Sequence, residues 1–98
     1  MLVLLSKSDP VKLELASEAV SKVKDAIIVF LSDASYLTLD GRNKDILSRM
    51  REDGATLFAM EADIIRRNAG KSPDYVNIIS YEELVEILVE KGGHTINL

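Results

Sequence analysis

The chain has 98 residues, 47% of them hydrophobic and 29% charged, with sixteen acidic against twelve basic side chains and a net charge of −4. That sign is wrong for affinity won by neutralising phosphates, so direct nucleic-acid binding is not expected, and no apolar run approaches the ~20 residues that span a bilayer. There is no cysteine, which excludes disulfides, thiolate metal sites and thiol catalysis.

The first segment, Met1-Leu2-Val3-Leu4-Leu5, lacks a basic leader and runs into Ser6-Lys7-Ser8-Asp9. It reads as a buried first strand of a cytoplasmic protein. Asp9 can cap the next helix with Pro10 at its first position, where a missing N–H costs nothing. Leu13, Ala16, Val20 and Val23 give that helix a core stripe and place its end near Lys24. The β-branched, charge-free run Ala26 to Leu31 predicts a central strand. Ser35 to Leu39, before the Asp40-Gly41 turn, reads as a short helix in preference to an extra edge strand.

Lys44 to Glu52 places Ile46, Leu47 and Met50 on one side, as in a surface helix that Gly54 stops. Strands are predicted at Thr56 to Ala59 and Tyr75 to Ile79, with a helix at Glu61 to Arg67 between them. Ser80 with Glu83 three residues on is a capping box, and Leu84, Val85, Ile87 and Leu88 give the last helix a broad apolar face. Gly92-Gly93 ends it, leaving His94 to Leu98 for a short final strand. Strands alternating with helices at this spacing predict a single three-layer α/β domain over residues 1–98. Its four- to five-stranded sheet is mainly parallel, with helices on both faces.

Ligands of such folds bind beyond the carboxyl ends of the strands. Those ends are Ser6 to Asp9, Ser32 to Ser35, Met60 to Asp63 and Ser80-Tyr81. Ser8, Asp33 and Ser35 are the candidate ligand-binding residues. Asp9 and Ser80 are better explained as caps, and Asp33 could merely bond its own backbone in an Asx-turn. Arg66, Arg67 and Lys71 gather at a helix C-terminus, where cations offset the macrodipole. His94 is the sole histidine and has no metal-binding companion. No phosphate loop, nucleophile elbow or metal-spaced pair is present. No catalytic residue, metal or cofactor is therefore expected.

One stretch carries more specific information. Residues 54–89 read as a strand ending in Ala59, an acidic helix start at Glu61, Asp63, then Arg67-Asn68, a second strand, and the capped helix from Ser80. This order resembles the DsrE/DsrF/DsrH-like sulfur-relay proteins, in particular the DsrH/TusB branch. Members of that branch carry Asp followed four and five residues later by Arg-Gly. Asn68 stands in place of the glycine, and Asn is the next best residue at a helix end with a left-handed backbone. Where relatives often have a Gln-Asn/Asp-Gly-Val turn, the chain has Ser32-Asp33-Ala34-Ser35, of which only Asp33 matches.

Cysteine-bearing DsrE/TusD-like relatives place their persulfide cysteine seven residues before the arginine, which falls on Met60 here. A thioether is already dialkylated and can neither attack a sulfur nor hold one. Met60 is accordingly a core or interface filler. The resemblance implies a DsrE-like fold and a non-catalytic subunit of a sulfur relay, serving tRNA wobble 2-thiouridine formation or sulfur metabolism. It also implies assembly with cysteine-bearing DsrE/TusD-like and DsrF/TusC-like paralogues, or with itself. Tyr36, Met60, Asp63, Arg67 and Asn68 would then shape interfaces or the local scaffold. The alternatives are a module binding a small ligand or nucleotide near Ser8 and Asp33, and an enzyme using Asp33 and Asp63 as acid and base.

Overall fold

The computed structural model describes residues 1–67 and 73–98. In chain order it comprises β1 (Leu2–Leu5), α1 (Pro10–Val20), β2 (Ile27–Phe30), α2 (Ser35–Leu39) and α3 (Lys44–Glu52). There follow β3 (Thr56–Met60), α4 (Glu61–Arg67), β4 (Val76–Ile79), α5 (Tyr81–Lys91) and β5 (Thr95–Asn97). Single 3₁₀ turns at Ser32–Ala34 and Gly41–Asn43 lead into α2 and α3.

Local chemistry explains most of these boundaries. The Asp9 carboxylate accepts from the Val11 N–H at 2.9 Å and Pro10 opens α1. The Ser80 hydroxyl accepts from the Glu83 N–H at 3.2 Å while the Glu83 carboxylate accepts from the Ser80 N–H at 3.1 Å, the reciprocal pair that starts α5. Gly54 adopts φ +99°, a region closed to most side chains, in the turn between α3 and β3. Contrary to the sequence expectation, α1 stops at Val20 and Val23 is exposed. The Ser21 hydroxyl donates to the Glu18 carbonyl at 2.7 Å, offering the backbone an alternative to another helical turn. The chain then turns through Asp25 at φ 56° into β2.

The five strands are all parallel in the order β4-β3-β2-β1-β5. β2 is central, as its composition predicted. The register pairs Val3 with Ile28 and Ile28 with Leu57, so alternate residues divide two apolar layers. Toward one layer, Val3, Leu5, Ile28, Phe30, Leu57, Ala59 and Val76 pack against Leu13, Ala16 and Val20 of α1, Leu37 of α2 and Leu47 and Met50 of α3. Ile64 of α4 also lies against this layer.

The opposite layer is thinner. Leu2, Val29, Met60 and Ile79 pack against Leu84 of α5, with Leu4, Ile27, Phe58 and Ile87 half-buried around them. Five strands spaced ~4.8 Å apart extend ~19 Å between the outer two, whereas a helix is about 10 Å across. Among the described residues α5 is the helix packed on this face, and one helix cannot cover it. The broad apolar stripe of α5 is correspondingly only partly used, with Val85, Leu88 and Val89 exposed. Because β1 to β4 step in one direction and β5 returns beside β1, the order reverses between β1 and β5.

Candidate functional site

The carboxyl ends of β2 and β3 meet in a small charged knot. At its centre lies Arg67, the last residue of α4, whose side chain is only 11% exposed. One guanidinium nitrogen, Nη2, donates to Asp33 Oδ1 at 2.7 Å. The other, Nη1, donates to the Asp63 backbone carbonyl and to Asp63 Oδ1, both at 3.4 Å. The guanidinium carbon stands 5.5 Å from the centroid of the Tyr36 ring, within cation–π range. Asp63 Oδ2 in turn accepts from the Ser32 N–H at 2.8 Å. Ser32 has φ 49°, so this bond holds a left-handed turn built without glycine.

The knot links α4 to the turn after β2. The hydrogen bond to Asp33 is the largest influence holding the Arg67 guanidinium above its ordinary pKa; burial opposes it, and the charges of Asp33 and Asp63 add to it. With two carboxylates already on it, Arg67 is a clamp and not a free receptor for an anion. Arg67 Nε and the enclosed Ser35 hydroxyl have no hydrogen-bond partner among the described residues.

The structure redistributes the candidate ligand residues. Ser8 lines an open groove of about 560 Å³ with Pro10, Tyr36, Leu37, Asp40 and Arg42. Asp33 is not on that groove and turns to Arg67 instead. Ser35 is fully enclosed in α2. Ser8, Asp33 and Ser35 therefore do not form one pocket: after β2 the chain turns Asp33 to Arg67 and buries Ser35, while Ser8 stays on the groove after β1. The Asx-type bond considered for Asp33 belongs to Asp40, whose carboxylate accepts from the Arg42 N–H at 2.9 Å and pairs with the Arg42 guanidinium at 2.8 Å.

Met60 is 5% exposed against Val29, Ile79 and Leu84. It fills the core, the first of the two roles the sequence left open for it. Tyr36 is partly exposed and Asp63 mostly covered, both within the knot. Asn68 lies outside the described residues. The pairs Asp33–Arg67 and Ser32–Asp63 were not predicted, since residues 34 and 31 positions apart leave no local signal in one sequence. The i, i+4 spacing of Asp63 and Arg67 was the one legible part.

A family model described as "DsrH like protein" matches residues 6–93. The chain belongs to the DsrH-like family. Among solved structures, it is similar to that of the ychN protein from E. coli, with a TM-score of 0.76 and 17% identity over 99% of this chain and 97% of that one. At that identity the likeness shows the fold, a parallel α/β sheet, and nothing finer. A comparison with curated proteins gives no significant match. Among the described residues of this DsrH-like chain, no helix is long and apolar enough to cross a membrane.

Proposed function

We propose that this chain is a non-catalytic, cytoplasmic subunit of a sulfur-relay complex, in which a cysteine-bearing partner holds the persulfide and this chain shapes or docks that partner. The reading is carried by one conjunction: a DsrH-like sequence over residues 6–93 in a chain of 98 residues without a single cysteine. Persulfide chemistry needs a thiolate that attacks one sulfur and then retains it. The strand end where the cysteine-bearing relatives would place it is occupied by Met60, enclosed and without a thiol. In the adjacent arrangement both terminal guanidinium nitrogens of Arg67 are already engaged, by Asp33 and Asp63, which suits a scaffold. The final acceptor would be tRNA wobble uridine or a carrier in sulfur metabolism, reached through the partner.

Incubation with a cysteine desulfurase and labelled cysteine tests the chemistry. The expected label resides on a thiol-bearing chain that co-purifies from the native host, with none on this chain. Stable covalent label here, or purification with no thiol-bearing companion, would overturn the proposal.

A further inference from the structure

The α5 face combines two properties that select its occupant. Tyr81 is 72% exposed, Val85 45% and Val89 80%, and Leu88 is also exposed. At ~100° per residue these four follow one another around a single flank of the helix, while Leu84 and Ile87 face the sheet. The next positions outward are Glu82 and Glu86, followed by Glu90 and Glu83. Lys91 is the only cation of the helix. An apolar strip of this kind, beside a sheet face that one helix cannot cover, marks an interaction surface, and the exposed Tyr81 is the residue type that anchors such contacts.

The acidic border decides between occupants. In a two-fold pairing of identical chains the same patch meets itself, so carboxylates of one α5 would face those of the other, and like-charge juxtaposition is penalised. An anionic bilayer is repelled for the same reason. We propose that α5 docks a different polypeptide, one presenting an apolar surface bordered by Lys or Arg, and not a second copy of this chain. The existence of a partner rests on the subunit reading above. The surface and the partner's chemistry rest on α5 itself.

The probe is a pair of synthetic helical peptides sharing one leucine stripe, flanked in one by lysines and in the other by glutamates, with binding to the full chain followed by fluorescence anisotropy at low salt. The lysine-flanked peptide is expected to bind about tenfold more tightly or better. Glu82→Lys/Glu86→Lys should reverse that preference. Val89→Asp should weaken binding although it adds an attractive charge, and Val89→Gln should weaken it without altering charge; circular dichroism confirms that each variant is folded.

Equal binding of the two peptides, binding of neither, or indifference to the Val89 substitutions would overturn the proposal. So would a parent chain whose self-association, measured by light scattering, is abolished by Val89→Asp. Loss of the host companion with the peptide preference intact would remove the sulfur-relay reading and leave this surface standing. The opposite pair of results would do the reverse.

Discussion

Replacing Asp63 by alanine should destabilise the protein chiefly by releasing the turn at Ser32. The carboxylate accepts from the Ser32 N–H at 2.8 Å, and Ser32 sits at φ 49°. A hydrogen bond to a charged group contributes roughly 1.5–3 kcal/mol. Ser32 is exposed and Asp63 is not fully enclosed, so solvent competes and the contribution falls to the bottom of that range or just below it, about 1–2 kcal/mol. Relaxation of the turn returns some of the strain of a left-handed serine, which limits the loss further. For a domain of this size each 1 kcal/mol lowers the melting temperature by about 4–8 °C.

Urea denaturation followed by circular dichroism measures the change. Asp63→Asn keeps an oxygen acceptor for the Ser32 N–H and should lose about half as much, since only the charge assistance disappears. Ser32→Gly tests the strain directly: in the parent it should be neutral or stabilising by up to about 1 kcal/mol, because glycine enters this region freely. In the Asp63→Ala background the gain should shrink, a coupling of about 0.5 kcal/mol or more. If Asp63→Ala changes stability by less than about 0.5 kcal/mol, or if the two substitutions are additive, then Asp63 does not hold the turn at Ser32.

Gly54→Ala places a side chain at φ +99° and should cost about 1 kcal/mol or more in the same denaturation assay; a neutral result would mean that the turn before β3 readjusts freely. Ser80→Ala removes one half of the reciprocal cap of α5 and should cost about 0.5–2 kcal/mol, whereas an unchanged midpoint would show that α5 is held by Leu84 and Ile87 alone. Met60→Cys should give a thiol that reacts far more slowly with a thiol reagent in the folded protein than in denaturant, because the position is enclosed. Equal rates in the two conditions would show that the strand end is open and that Met60 stands in a usable active-site position.

The order of strands and helices was legible because each element carries its own local cause. Period and β-branching mark Ile27–Phe30, Asp9 with Pro10 starts α1, and Ser80 with Glu83 starts α5. The absence of a thiol is likewise a property of composition, and it confines the chain's chemistry without any coordinates. What the sequence alone left undecided were relations between distant residues. Asp33 looked like a turn former until the packing of α4 brought Arg67 within 2.7 Å of it. Met60 could have been core or interface until Val29, Ile79 and Leu84 closed around it. The sequence shows α5 with a broad apolar face, yet among the described residues just one helix packs on that side of the sheet, so part of the stripe remains outside. Hydrophobic periodicity records which residues favour leaving water. Which of them succeed depends on how many elements the topology supplies to cover each face, and that is settled only when the chain has folded.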